Sequence, residues 1–384
     1  MSYFLTEEQE LIRESVREMA VNEIRPRVME IYDVEKHEQF IRDMQKRFGE
    51  LGVLGIIAPE VVGGSEMSLS ALLAVQEEVA KECPELALHL MLQCAYTPAL
   101  MLMPEVGMKW CPKVFSGEAI FAGTMTDPAG AMNHGEWSEG VVKVGDEFII
   151  NTTKNFCTAG DIADVLFVYV QYQGSMMGLV VEKDTPGVEL SLDPTCGLTA
   201  GFTNISFTDV HVPESWTCDM SWWSKDGVPV MGTVGGPAST LTASVCNLGL
   251  MEGLFDRTVE HCKSRTIQGK PMIERSDIQA KLARIKVKIE ALRAVLYDAA
   301  RLSEEGKPNM ELVHCAKVMA NDLGAPVCYE LVTLFGGLGF AVETGVERYY
   351  RDTLGLAIAD CTTDMHLSSL AAQMGFPGAV NAAF

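Results

Sequence analysis

The residue most able to do chemistry is an acid in an apolar setting. Asp360 follows the run Leu354 to Ala359 and stands in Ile358-Ala359-Asp360-Cys361-Thr362-Thr363-Asp364-Met365-His366. A carboxylate in such surroundings is costly unless it is paired or serves as a base. A helix-capping aspartate, with Thr362 and Thr363 in the first turn beyond, is the alternative. Three other segments carry suggestive spacing. Thr126-Asp127-Pro128-Ala129-Gly130-Ala131-Met132-Asn133 is a turn after a strand, able to bring backbone N–H groups against a phosphate or a planar ring, or simply to join domains. Asn155-Phe156-Cys157-Thr158-Ala159-Gly160 places an aromatic that could stack two residues before a hydroxyl, and also reads as a strand end with its turn. Gly336-Gly337-Leu338-Gly339-Phe340 has the look of a dinucleotide fingerprint, but it ends a helix and lacks the third glycine, so it reads as a helix stop.

Other chemistries are disfavoured. The seven histidines show no HxxxH or HExxH spacing and the 11 cysteines include no CxxC pair, which argues against a zinc site. An odd cysteine count without pairs is that of reduced thiols in a cytoplasmic protein. A net charge of −22 is wrong for nucleic acid and for an anionic membrane surface. No apolar run has the length of a membrane span, and the opening is neither a signal peptide nor an Arg-rich transit sequence.

The elements that must position these residues follow from periodicity. Thr6-Glu7-Glu8-Gln9 has capping-box form, and Leu11, Ile12, Val16, Met19, Ala20 and Ile24 trace one helical face. Helices are expected over Phe40 to Leu51 and Leu69 to Lys81, on either side of a loop at Pro59 to Gly64. Val141 to Val144, Gly145-Asp146 and Glu147 to Ile150 predict a hairpin. Val165 to Tyr172, Gly178 to Val181 and Ile205 to Val212 are further strands. Leu282, Ile285, Ile289, Leu292 and Leu296 form the seam of a long packed helix, and Leu312 to Leu334 predicts another. The expected class is α+β: an N-terminal helical domain over 1–119, a middle β domain over 120–224 and a C-terminal helical bundle over 225–384. Strands and helices do not alternate, which disfavours a doubly wound sheet.

In their order and spacing these segments resemble the acyl-CoA dehydrogenase superfamily along essentially the whole chain. The likeness includes the Leu5 to Gln9 opening, Thr126-Asp127-Pro128, Lys154 to Thr158, Ser264-Arg265-Thr266 with Gly269-Lys270, the Phe335 to Phe340 turn, Arg351-Asp352, and Ile358 to Met365. It implies a C-terminal four-helix bundle, a homotetramer with the long helices at its centre, and one FAD per subunit reoxidised by an electron-transferring flavoprotein. It implies that Met125, Thr126, Phe156 and Thr158 line the isoalloxazine, Thr158 near N5. Arg265, Gly336 and Gly337 would meet the pyrophosphate and adenosine side, partly from a neighbouring subunit, and Thr362 the pyrophosphate. Asp360 would remove the α-proton of an acyl-CoA, with the thioester oxygen held by the backbone N–H at the base position and by a ribityl hydroxyl.

The departures point to a specialised member. The base is usually Glu, followed by Gly and preceded by an aromatic; here the triplet is Ala359-Asp360-Cys361. A phosphate-loop Gly-Ser is replaced by Ala131-Met132, and the Gln before the double glycine by Thr333. Where some members carry the base on an earlier helix, this chain has Ser239, which cannot act as one, and Thr240 replaces the Arg that commonly follows. The leading expectation is dehydrogenation of an alicyclic or α-branched acyl-CoA, of cyclohexanecarboxyl-CoA or cyclohexenecarboxyl-CoA type. A nitroalkane-oxidase-like flavoprotein, a desulfinase-like eliminase and a flavin-free scaffold are the other readings.

Overall fold

The computed structural model describes residues 5–379 except 132–135, 138, 194, 198–201 and 221–236, and not the side chains of 95–99. Met132, Asn133 and the expected boundary at 224–225 therefore lie outside the described residues. Helices α1 (Glu7–Met19), α2 (His37–Glu50), α3 (Leu69–Glu82), α4 (Pro84–Met101) and α5 (Pro104–Phe115) come first. Thr6 and Gln9 close the expected capping box on α1. Of the face drawn from the sequence, Val16, Met19, Ala20 and Ile24 are buried, but Leu11 is 67% exposed. It lies about 120° around the helix from the centre of that stripe, and the π-turn over Ala20–Ile24 brings Ile24 back onto it.

The middle of the chain folds into two four-stranded sheets. Strands β1 (Phe121–Thr124), β4 (Val165–Tyr172), β5 (Ser175–Glu182) and β8 (Thr217–Asp219) form one, in the order β1-β4-β5-β8. Strands β2 (Val141–Val144), β3 (Glu147–Cys157), β7 (Thr203–Pro213) and β6 (Val188–Leu192) form the other, in the order β2-β3-β7-β6. The predicted hairpin is β2–β3, with Val144 opposite Glu147. Strand β4 is buried on both faces: Leu166, Val168 and Val170 join the main core, while Val165, Phe167 and Tyr169 pack with Trp110 and Phe115 of α5. That two-sided burial is why its sequence is an unbroken apolar run without alternation.

Helices return as α6 (Pro237–Ser264), α7 (Ser276–Glu304), α8 (Met310–Leu334), α9 (Glu347–Ile358) and α10 (Thr363–Gln373), with a small hairpin of β9 (Thr266–Ile267) and β10 (Lys270–Pro271) after α6. The α+β class expected from the sequence is the one observed. The Leu282 to Leu296 seam is wholly buried inside the subunit, where α7 packs on α6, α8 and α3. The packed helix that this seam predicts is thus formed within the subunit.

Helix α6 joins the two helical regions by lying directly on α3. A Cβ on Gly249 would stand 2.4 Å from the Glu77 carbonyl oxygen, and one on Gly253 2.0 Å from that of Lys81. A charged collar surrounds this crossing. Arg293 of α7 meets Glu77 at 2.8 Å and Glu252 at 2.6 Å, Lys81 meets Glu252 at 3.0 Å, and Tyr297 donates to Glu77 at 2.9 Å. Against the opposing effect of burial, Lys81, Arg293 and Lys286 hold the Glu252 carboxyl well below its usual range. In an isolated helix Gly→Ala would stabilise by about 1 kcal/mol. At Gly253 the added methyl must push two backbones apart, so Gly253→Ala should instead lose about 1–3 kcal/mol, read as a lower urea midpoint. Lys286→Ala, on the open rim of the same network, should cost less than about 1 kcal/mol.

Candidate active site

Helix α9 ends without a glycine. Ala359 turns extended, and Asp360 (φ +54°) and Cys361 (φ +70°) then both adopt the left-handed conformation before Thr362 opens α10. Each left-handed non-glycine residue costs about 1–2 kcal/mol, so the turn must be held from outside. The Lys317 ammonium, fully buried on α8, donates to the carbonyls of Ala359 (2.7 Å) and Leu356 (3.3 Å), a cation at the negative end of α9. Asn321 of α8 donates to the Ala357 carbonyl at 3.2 Å and to the Thr363 hydroxyl at 3.3 Å. Burial pushes the Lys317 ammonium down, opposed by the Asp360 carboxylate.

A histidine pair completes the support. His366 Nε2 lies 2.9 Å from the Asp360 carbonyl oxygen, and the Nδ1 atoms of His314 and His366 are 2.9 Å apart. A carbonyl only accepts, so His366 carries its hydrogen on Nε2 and its Nδ1 accepts from His314. Burial keeps both rings neutral, lowering His366 and taking His314 to about 4.

The Asp360 carboxylate is held asymmetrically. Ser239, in the first turn of α6, donates its hydroxyl to Oδ1 at 2.7 Å. Oδ2 is buried and has no partner among the described residues. The Asp360 N–H likewise donates to none of them. An ionised carboxylate with one anchored oxygen and one bare, desolvated oxygen is arranged to take a proton. Asp360 does not cap a helix, because the N-cap of α10 is Thr362. That cap is incomplete: the exposed Thr362 hydroxyl makes no capping bond, which leaves the helix N-terminus open to an anion.

The two β-domain segments are brought together. Met125 and Thr126 leave β1, and the Asn155 N–H donates to the Thr126 carbonyl at 2.7 Å. Beneath them a buried pair, Lys154 and Asp127, meets at 3.2 Å, and the Lys154 ammonium lies 4.1 Å from the Trp137 ring centroid. The register of β3 against β7 breaks between Lys154 and Cys157. There Phe156 takes φ +52° and turns outward, 54% exposed, while Thr158 sits with Ala159 over a small void lined by Ile31, Ile41, Leu86 and His89.

Arg265, Gly336 and Gly337 form a separate, exposed group. Stacking of His261 on Phe335, at 4.4 Å, sets the end of α6 against the end of α8. Arg265 lies 26 residues beyond Ser239 along α6, or about 39 Å at the rise of an α-helix. One subunit thus divides the expected site residues between opposite ends of its longest helices. Missing from the sequence reading were Lys317, Asn321 and the histidine pair, and Ser239 entered it only as a position unable to supply the base. His314 and Lys317 left one trace, as polar residues on the apolar stripe of Val313, Ala316 and Ala320. The bond from Ser239 to Asp360 left none, for the two lie 121 residues apart.

Comparison with known proteins agrees with this architecture. The acyl-CoA dehydrogenase N-terminal domain matches residues 6–118 and the C-terminal domain residues 239–375. The chain is 30% identical over 371 residues to a cyclohex-1-ene-1-carbonyl-CoA dehydrogenase of Geobacter metallireducens, covering 91% of this chain and 93% of that one. It is 28% identical to a short-chain-specific acyl-CoA dehydrogenase of Clostridium acetobutylicum, covering 95% and 97%. Among solved structures, the acyl-CoA dehydrogenase of Geobacillus kaustophilus superimposes with a TM-score of 0.84 at 26% identity, covering 97% of this chain and all of that one. The chain accordingly belongs to the acyl-CoA dehydrogenase family and is an FAD-dependent oxidoreductase.

Proposed function

We propose that this enzyme introduces an α,β double bond into an acyl-CoA carrying a ring or branch at its α-carbon, with Asp360 as the base. The observation that carries the proposal is the Asp360 carboxylate, anchored through Oδ1 and bare at Oδ2. Oδ2 receives the α-proton: the C–H bond breaks, an O–H bond forms, and the electron pair is delocalised onto the thioester oxygen. The Asp360 N–H is available to donate to that oxygen and stabilise the developing enolate. Bound FAD supplies the two-electron acceptor for the hydrogen that leaves the β-carbon.

The residues present fit such a cofactor. Met125, Thr126, Phe156 and Thr158 lie on two segments clamped together, with Phe156 turned outward as a stacking surface, and Thr158 is assigned to the N5 side. Thr362 heads a helix N-terminus suited to the pyrophosphate. Arg265, Gly336 and Gly337 are too far from Asp360 to reach the same dinucleotide, so a neighbouring copy is assigned to supply them. Leu338, Phe340 and Val342, 51%, 90% and 60% exposed beside the double glycine, favour burial between copies. A homotetramer, reoxidation by an electron-transferring flavoprotein and a cytoplasmic setting complete the proposal. Among the described residues no helix is long and apolar enough to cross a membrane.

For the substrate, similarity to the cyclohexenecarboxyl-CoA enzyme agrees with the side chains. Aspartate is one methylene shorter than glutamate, which retracts the carboxylate by about 1.5 Å, and Ala359 leaves room where an aromatic is usual. Ring or branch bulk brings the α-carbon back within reach.

Asp360→Asn should lower turnover by at least ~10²-fold while FAD and fold are retained. Near-full activity would place the base elsewhere. Arg265→Ala should weaken FAD retention about tenfold or more, measured by release of flavin fluorescence, because a charge-assisted phosphate contact is removed. Unchanged affinity would refute that placement. The kcat/KM for cyclohexanecarboxyl-CoA or cyclohexenecarboxyl-CoA should exceed those for isobutyryl-CoA and butyryl-CoA. Butyryl-CoA turned over as well as every ring or branched substrate would exclude the alicyclic assignment, and no turnover of any acyl-CoA with an artificial electron acceptor would exclude dehydrogenation.

A further inference from the structure

We infer that Ser239 is the positioning residue for the base, fixing Asp360 Oδ1 so that Oδ2 alone is presented to the substrate. This inference rests on Asp360 being the base. The Ser239 hydroxyl is 2.7 Å from Oδ1, on a different helix and 121 residues away, so the bond is not a by-product of local turn geometry. Asp360 otherwise lacks a side-chain restraint: the groups that hold its turn, Lys317, Asn321 and His366, all bind backbone carbonyls or the Thr363 hydroxyl. They fix where the Cα lies but leave rotation about χ1 and χ2 free. A short side chain with one hydroxyl anchor has a single direction for its second oxygen, and about 1 Å of misplacement costs ~10²-fold in rate.

Several groups face Asp360. From α8 come the Lys317 ammonium and neutral His314, from α10 neutral His366, from α6 Ser239, with Cys246 deeper beside Lys317, and from its own turn the Cys361 thiol. Of these, only Ser239 hydrogen-bonds the Asp360 carboxylate, and the others stay in place when it is changed. Loss of the hydroxyl therefore frees Oδ1 and, with it, the direction of Oδ2.

The test uses the FAD-loaded enzyme. In Ser239→Ala kcat should fall about tenfold with little change in KM and an unaltered flavin spectrum. Ser239→Thr, which keeps the hydroxyl, should restore most of that loss. In the Asp360→Asn background Ser239→Ala should have no further effect on kcat. An equal loss in that background would make Ser239 merely structural and overturn the assignment, as would a Ser239→Ala enzyme with unchanged kcat. Full turnover by Asp360→Asn alone would instead remove the base, and Ser239's positioning role with it.

Discussion

The crossing of α6 over α3 is the contact on which the rest of the subunit depends. Two glycines one helical turn apart let the backbones touch, and no side chain could replace them without separating the helices. The approach forces acidic residues of α3 into the interior, and the collar of Lys81, Arg293 and Lys286 is the electrostatic consequence. Because α6 also packs on α4, α7, α8 and α9, its position sets the frame in which both ends of the helix are presented.

At one end that frame delivers Ser239 to a turn no local preference would produce. Two consecutive left-handed residues, neither of them glycine, are unfavourable alone, and the family's usual glycine after the base would relieve one of them. Here the turn is over-determined instead: a buried ammonium, a carboxamide and an imidazole take its carbonyls. The same groups that offset the strain leave the Asp360 N–H and Oδ2 unengaged. Strain and availability thus have a common origin, because satisfying the carbonyls from α8 and α10 turns the remaining polar atoms of Asp360 outward.

At the other end, the length of α6 keeps Arg265 and the double glycine away from Asp360. A helix of 28 residues is too long for one bound dinucleotide to span within the subunit. In the proposed assembly the exposed apolar side chains beside Gly336 would be covered by the neighbouring copy. Site completion and assembly are thereby one event in the proposed enzyme.

Local order was largely present in the sequence. The capping box at Thr6, the β2–β3 hairpin, the apolar run of β4 and the α7 seam are short-range patterns, and each forms where its spacing indicates. The separation into helical, β and helical regions followed from the change in period near residue 120 and its return. Asp360 was conspicuous as well, being a charge among apolar neighbours. What the sequence left undecided were relations between distant positions. That the α7 seam is buried within the subunit, that Leu11 faces water, and that Ser239, Lys317 and His366 converge on one turn depend on helix crossings set by packing. A hydrogen bond across 121 residues has no periodicity to betray it. Only the fold brings those two side chains to 2.7 Å, because burial of the α3–α6 contact, remote from both, decides where α6 begins.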